Sequence, residues 1–325
     1  MIKRLLILLL VVQAAAALAL AGAIYYWWQP QWLHALDTAP SLAALACAAL
    51  GIAAVLLLRV LISLHNFHQS SRSGSATPAE HALDLMRAVR LFSGEFSASM
   101  RYSSYFMLRP LGWRVQPRER QRGLPVLLIH GYLCNSGYWH SLSRALTQAR
   151  ISHAGIDLEP LGASIDEYAP QVCAAVERLC AGTGSAQLII VGHSMGGLVA
   201  RAYLRRYGAQ RVARVITLGT PHEGTALAGL APGRNGAQMR RGSDWLRELT
   251  ATEANLQREI FTSIYSVHDN IVAPQDSSYF AGARNLAFGA VGHVALGHTP
   301  EILAAVLDEI AAVNRAGATV SEQAC

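Results

Sequence analysis

The feature that most constrains the fold is the pentapeptide Gly-His-Ser-Met-Gly at residues 192–196, which follows an apolar run at 188–191 and precedes a helical pattern. A Gly-x-Ser-x-Gly turn between a strand and a helix is so sharp that glycines flank the serine. Such a turn lifts the hydroxyl above the sheet, at the N-terminus of the helix. The pentapeptide therefore predicts Ser194 as a nucleophile, against the alternative of an incidental glycine-rich turn.

The pattern around this turn predicts the fold class. From residue 124 onward, apolar runs alternate with helical patterns. This alternation is typical of an α/β fold with a mainly parallel sheet and helices on both faces. We predict strands at 125–129, 151–158, 187–192, 212–218, 261–267 and 285–290, and helices at 138–148, 169–181, 195–207 and 300–313.

Two long apolar stretches precede this region, and they raise the hydrophobic content of the 325-residue chain to 52%. Residues 5–24 are apolar except for Gln13, and residues 42–64 form a second stretch. About twenty helical residues span the roughly 30 Å hydrocarbon core of a bilayer. We therefore predict a two-helix transmembrane hairpin. The alternative for the first stretch is a cleaved secretory signal, since Lys3 and Arg4 precede it and small residues end it.

The distribution of charge predicts the topology of this hairpin. The connector at residues 29–40 has no Lys or Arg, whereas basic residues precede the first stretch and accompany or follow the second. The positive-inside rule then places both ends, and the domain that follows the hairpin, on the cytoplasmic side of the membrane. We predict a membrane anchor at 1–65, a linker and leading helical segment at 66–122, with a serine-rich linker at 70–78, and a catalytic domain at 123–325.

The net charge of +6 comes almost wholly from arginines scattered between apolar stretches. This distribution argues against nucleic-acid binding. Five arginines between residues 109 and 122 either contact anionic lipid headgroups or belong to a solvated linker, and the sequence favours neither.

A serine nucleophile in this fold is followed along the chain first by an acid and then by a histidine. Asp269 lies just beyond the strand predicted at 261–267, with Asp276 as the reserve acid. His293 directly follows the last predicted strand, whereas His298 lies where the last helix begins. We therefore predict Asp269 as the acid and His293 as the base.

Acyl transfer also needs N–H donors for the oxyanion of its tetrahedral intermediate. The residue after the nucleophile, Met195, supplies one. The second is expected from the loop after the first strand, where Gly131 lets the chain turn and the N–H of Tyr132 points to the same place. We interpret His130 in this loop as a buried, loop-shaping residue.

With these motifs the chain resembles the bacterial lipase branch of the α/β-hydrolases, including compact secreted triacylglycerol lipases, over residues 125–310. The most specific stretches are residues 193–197, 263–272, 282–285 and 291–293. The resemblance implies an α/β-hydrolase fold in which Ser194, Asp269 and His293 match the catalytic triad and Tyr132 matches the oxyanion loop. It also implies a structural role for His222.

The chain differs from these lipases in two places. It has a predicted two-span anchor where the secreted relatives carry a cleaved signal, which argues against an extracellular fat-digesting role and, with the resemblance to bacterial lipases, predicts a bacterial inner membrane. It also has a longer segment at residues 224–257, in which Trp245 and Leu249 share a helix face and Ser243 is placed to cap that helix. This segment is either a lid over the serine or a short helix packed on the core.

These observations predict a serine carboxylic ester hydrolase that acts on lipid or other acyl esters through an acyl-enzyme intermediate. The alternatives on the same triad are a thioesterase, a polyester depolymerase and an acyltransferase. A non-catalytic membrane-anchored binding protein is a further alternative. The chemistry needs no cofactor or metal, and the sequence has no cluster of ligands at zinc spacing, although it leaves a calcium site open.

Overall fold

The computed structural model describes residues 1–27, 40–253 and 258–323. Two compact units are distinguished, one comprising Arg4–His68 and the other comprising Gln69–Cys325 with Met1–Lys3. The second unit contains the sheet and every residue predicted to take part in catalysis.

The first unit consists of two apolar helices, α1 (Ile2–Trp27) and most of α2 (Pro40–Ser73). By length and composition alone, both helices are long and apolar enough to cross a membrane. Within this unit the guanidinium of Arg59 donates to the side-chain oxygen of Gln13 at 3.0 and 2.6 Å. Most of the predicted connector, residues 29–39, lies outside the described residues.

The end of α2 differs from the prediction, because the helix continues to Ser73, within the predicted linker at 70–78. Ser70 is buried, its hydroxyl donates to the carbonyl oxygen of Asp269 at 2.6 Å, and it accepts from the Gln275 amide at 2.8 Å. These contacts with residues about 200 positions away override the loop-forming composition of the segment.

The four helices for which bounds were predicted in the second unit are present with changes at their ends, and the last of them continues to Gln323, ten residues beyond its predicted end at 313. A helix begins at Ile165 rather than at residue 169, because the Ser164 hydroxyl caps it and two acidic side chains occupy its first turn. The helices are α3 (Leu85–Ser104), α4 (His140–Gln148), α5 (Ile165–Thr183), α6 (Met195–Tyr207), α7 (Arg234–Gln238), α8 (Asp244–Thr252) and α9 (Pro300–Gln323).

Seven strands form one sheet in the order β1-β3-β2-β4-β5-β6-β7. All pairs are parallel except β1 with β3. The strands are β1 (Trp113–Arg114), β2 (Val126–Ile129), β3 (His153–Ile156), β4 (Leu188–His193), β5 (Val212–Leu218), β6 (Phe261–Ser266) and β7 (Arg284–Phe288). The predicted α/β fold class is confirmed, and the sequence analysis missed only the two-residue edge strand β1 among these described strands.

Side chains on the two faces of the sheet alternate along each strand. Leu127, Ile129 and Ile190 belong to a buried cluster that includes residues of α5 and α6. Leu128 and Val191 are also fully buried but lie outside that cluster, on the face of the sheet where α9 contacts β5. Because side chains of a strand point alternately to opposite faces, both faces of the central strands are covered.

Candidate active site

Several of the parallel strands deliver functional side chains to one edge of the sheet. β4 ends immediately before Ser194, β6 ends three residues before Asp269, and β7 ends five residues before His293. The loop after β2 contains Tyr132. Since the carboxyl ends of parallel strands share an edge, the topology gathers these four residues there. The sheet order also reverses between β2 and β4, which is where ligands bind in open α/β sheets.

Ser194 occupies a strained turn between β4 and α6. Its backbone angles are φ 53° and ψ −125°, a region that costs a non-glycine residue on the order of 1–3 kcal/mol. Tertiary hydrogen bonds hold this conformation: its N–H donates to the carbonyl of Leu218 at 2.8 Å, and its carbonyl accepts from the Thr220 hydroxyl at 2.9 Å. Backbone strain of this kind is concentrated at functional sites.

The carboxylate of Asp269 is fully occupied by hydrogen bonds. One oxygen, Oδ1, accepts the N–H groups of Ile271 and Val272, each at 2.8 Å. The other, Oδ2, lies 2.7 Å from Nδ1 of His293. Because a carboxylate only accepts, the proton of the neutral imidazole is on Nδ1, and Nε2 is free to take a proton.

The backbone and ring of His293 are also held in place. Its N–H donates to the side-chain oxygen of Asn270 at 2.9 Å, and its carbonyl oxygen lies 3.1 Å from Nε2 of His193. The rings of His193 and His293 have centroids 4.6 Å apart. Within the described residues, the Ser194 hydroxyl makes no hydrogen bond to His293. Such bonds are often long until a substrate binds.

Two carboxylates determine the electrostatics of His293. Burial lowers the pKa of His293, but the nearby Asp269 carboxylate and its hydrogen bond, followed by the Glu95 carboxylate, outweigh this effect. The net result is a pKa above the ordinary value for histidine. The environment therefore stabilises the imidazolium that forms when the ring accepts a proton.

Four other histidines have surroundings that differ from those of His293. Both ring nitrogens of His298 are occupied, since Nε2 accepts from Arg101 at 2.9 Å and Nδ1 lies 3.0 Å from the carbonyl of Ala295. His130 and His222 are buried, and burial lowers the pKa of each. His268 accepts the N–H of Ala290 at 3.0 Å. The reserve acid, Asp276, is exposed and accordingly remains outside the relay.

The predicted oxyanion loop packs directly on the nucleophile. A Cβ added to Gly131 would lie 2.9 Å from Cβ of Ser194, so the chain approaches this closely only with glycine at that position. The loop is shaped by His130, whose Nε2 accepts the Leu158 N–H at 3.0 Å. Tyr132 follows Gly131, and Met195 is the first residue of α6. The two predicted oxyanion residues thus flank Ser194 on separate elements.

One buried charged residue near this site was missed by the sequence analysis. Glu95 of α3 is 2% exposed, and its two oxygens accept the N–H groups of Val294 and Ala295 at 3.0 and 2.9 Å. A signal was present in the sequence, because Glu95 falls among Leu91, Ala98 and Tyr102 on the buried face of an amphipathic helix. A carboxylate on such a face needs a partner, and nothing local provided one.

The inserted segment at residues 224–257 packs on the domain as far as the structure describes it. Ser243 caps α8 as predicted, accepting the Leu246 N–H at 3.3 Å. Leu249 is fully buried, and the Trp245 indole donates to Asp166 of α5 at 2.8 Å. These contacts join α8 to α5 and to the buried core. The described part of the chain holds no group of three metal-ligating side chains.

Comparison with known proteins agrees with this architecture. The family model described as alpha/beta hydrolase fold matches residues 125–241. A triacylglycerol lipase of Pseudarthrobacter phenanthrenivorans is 31% identical over 112 residues, which are 32% of this chain and 35% of the lipase. A triacylglycerol lipase of Burkholderia plantarii is also 31% identical over 112 residues, 32% of this chain and 31% of the lipase. The matched segment thus spans about a third of these relatives.

The fold is also found in a solved lipase structure. The mature form of Bacillus licheniformis lipase BlEst2 superposes with a TM-score of 0.54 at 19% identity, covering 61% of this chain and 97% of the other. At this identity the match concerns the fold alone. Together with the family match, it establishes the architecture of the domain that follows the two apolar helices.

Proposed function

The chain has the α/β-hydrolase fold, and on that premise we propose that it is a serine carboxylic ester hydrolase of the lipase and esterase type. The observation that carries the proposal is the 2.7 Å contact of the Asp269 carboxylate with Nδ1 of His293, at the sheet edge where Ser194 occupies its strained turn. The relatives that match about a third of this chain include triacylglycerol lipases, which supports an acyl ester as the substrate class.

In the proposed reaction each residue has one task. Nε2 of His293, oriented by Asp269, takes the proton of Ser194 as its hydroxyl oxygen attacks the ester carbonyl. The N–H groups of Met195 and Tyr132 stabilise the oxyanion of the tetrahedral intermediate. The imidazolium then protonates the leaving alkoxide. Water attacks the acyl-enzyme with the same histidine as base, and the histidine returns this proton to the Ser194 oxygen as the carboxylic acid leaves.

The test is hydrolysis of graded p-nitrophenyl esters and matched thioesters by the purified full-length chain in detergent. We expect the wild type to hydrolyse esters. Turnover should be lower by about six orders of magnitude in Ser194→Ala, because the residues of a triad act as a unit. Faster turnover of thioesters would favour a thioesterase, and acyl transfer to an added alcohol in preference to water would favour an acyltransferase. Equal ester turnover by the wild type and Ser194→Ala would refute the proposal.

We also propose that the two apolar helices anchor the chain in a bacterial inner membrane, with the catalytic domain on the cytoplasmic side. The support is their length and composition, together with basic residues at the start of α1 and along and after α2. A reporter fused after Cys325 tests the orientation. Cytoplasmic signal is expected, whereas a periplasmic signal would contradict the proposed topology.

A further inference from the structure

The loop that carries His293 depends on a side chain from outside the sheet. After His293 the chain forms a short 3-10 helix, Val294–Gly297. The first N–H groups of a helix have no partners within it. Here those of Val294 and Ala295 donate to Oε1 and Oε2 of Glu95, 199 and 200 residues earlier in the chain. The Glu95 carboxylate therefore caps the helix that begins immediately after the base.

The same carboxylate also restricts the residue before the base. A Cβ added to Gly292 would lie 2.5 Å from Oε2 and 2.7 Å from Cβ of Glu95. Glu95 thus packs against the backbone of the residue before His293 and accepts hydrogen bonds from the backbone of the two residues after it. The Tyr138 hydroxyl also donates to the Val294 carbonyl, at 3.2 Å. Two side chains from outside the loop therefore hydrogen-bond the backbone next to His293.

Burying an ionisable group costs free energy of folding. Burial, together with the nearby Asp269 carboxylate, raises the pKa of the Glu95 carboxyl group above its ordinary value, although its two backbone hydrogen bonds and the nearby His293 partly offset this effect. A hydrophobic residue would fill this place on α3 without the desolvation cost, as Leu91 and Ala98 do on the same face. What a carboxylate adds is two directional bonds to the His293 loop and a negative charge near the ring.

We propose that Glu95 is a positioning residue of the active site, which fixes the backbone of the His293 loop and supports the protonated imidazole during turnover. The inference rests on the proposed function, because it assigns Glu95 to the same reaction. It also gives α3, which precedes the sheet in the chain, a part in assembling the catalytic centre.

The test compares Glu95→Gln and Glu95→Asp with the wild type as full-length proteins in detergent. Active sites are counted with a fluorophosphonate, so that kcat refers to folded enzyme only. In Glu95→Gln the amide NH2 meets a backbone N–H, and the loop shifts. Since a 1 Å misplacement costs on the order of a hundredfold, we expect kcat to fall by about ten- to a hundredfold with KM changed by less than about twofold.

A pH profile separates this role from a merely structural one. The charged or titratable groups facing His293 are Asp269 after β6, His193 at the end of β4 and Glu95 on α3. Removing the negative charge at position 95 lowers the pKa of His293. The acid limb of the kcat/KM profile therefore moves to lower pH in Glu95→Gln. Glu95→Asp retains the negative charge, so its acid limb stays close to that of the wild type.

The control is Glu80→Gln, which removes an exposed carboxylate from the same leading segment and should leave kcat and the acid limb unchanged. A lower melting temperature in Glu95→Gln with wild-type kcat per labelled site and an unmoved limb would overturn the inference. If Glu95→Gln does not fold, the test rests on kcat per labelled site of Glu95→Asp. A value below that of the wild type supports the inference, and a value equal to it overturns the inference. Loss of the proposed function is distinguishable, because it would leave the wild type itself without ester turnover.

Discussion

Oδ2 of Asp269 lies 2.7 Å from Nδ1 of His293, although 24 residues separate them in the chain. Both side chains are buried, and the second carboxylate oxygen of Asp269 is occupied by two backbone N–H groups. These bonds therefore hold the carboxylate in one orientation, which fixes the tautomer and the direction of the imidazole. This relationship is the basis of the proposed ester hydrolysis.

Replacing the acid while keeping its shape tests its role in orienting the base. In Asp269→Asn the amide can still accept from Ile271 and Val272 through Oδ1, but its NH2 cannot accept the Nδ1 proton of His293. The wrong tautomer is then favoured, and kcat should fall by about ten-thousandfold, as for a serine protease triad. Steady-state kinetics measure the change, with Asp276→Asn as the exposed control. A reduction of less than about tenfold would argue against the orienting role.

The pH dependence of the wild type tests the electrostatics of the base. His293 accepts the serine proton only when neutral, and its pKa is raised because the Asp269 and Glu95 carboxylates outweigh burial. Activity should therefore be lost as pH falls, with the midpoint of kcat/KM above about 6.5, the ordinary value for histidine. The rate is measured between acid and neutral pH while circular dichroism monitors folding. A midpoint below that value in a folded enzyme contradicts the assignment.

The close approach of the oxyanion loop predicts that Gly131 is intolerant of a side chain. In Gly131→Ala the new methyl group would lie 2.9 Å from Cβ of Ser194 and 3.0 Å from Nδ1 of His193, so the loop must move away. Losing one oxyanion donor costs about a hundred- to a thousandfold in kcat. The control, Gly182→Ala in α5, places its methyl in open space and should leave kcat unchanged. Wild-type kcat in Gly131→Ala would exclude this loop from the oxyanion hole.

A buried ion pair connects the helix after the nucleophile to the inserted segment. Arg201 of α6 donates to both oxygens of Glu253 at 2.6 and 2.8 Å, and both side chains are almost fully buried. Arg201→Met removes both hydrogen bonds to the buried Glu253 carboxylate, which then faces only Arg258 at 3.6 Å, and should destabilise the fold by up to about 3–5 kcal/mol. Arg211→Met, which breaks an exposed pair with Glu177, should cost less than about 1 kcal/mol. Denaturant unfolding compares the two, and equal losses would contradict the distinction.

Local patterns in the sequence were sufficient to predict the strands that carry the site. Apolar runs bounded by glycine and polar residues located β2, β4, β5 and β6 within a few residues, because these strands are largely buried on both faces. The partly exposed edge strand β7 was also located within two residues at each end. The helix start at Ile165 was misplaced by four residues, although Ser164, Asp166 and Glu167 form a recognisable N-terminal signal. Position along the chain then placed Asp269 and His293 at strand ends.

The contacts made across the longest separations were beyond the reach of local patterns. Ser70 binds the backbone of Asp269 in a segment whose composition indicates a linker, and Glu95 binds the His293 loop from a helix that precedes the sheet. Both contacts bridge about 200 residues, and nothing near either residue specifies its partner. The choice of His293 over His298 stays a prediction, which the occupied nitrogens of His298 support.

Covalent labelling tests the central claim, that Ser194 is a nucleophile activated by His293, most directly. The full-length protein is treated with a fluorophosphonate and the modified peptide is located by mass spectrometry. The account predicts one adduct, on Ser194, which forms at the wild-type rate in His298→Ala and at least about a hundredfold more slowly in His293→Ala. An adduct on another residue, or equally fast labelling of Ser194 in His293→Ala, would contradict it.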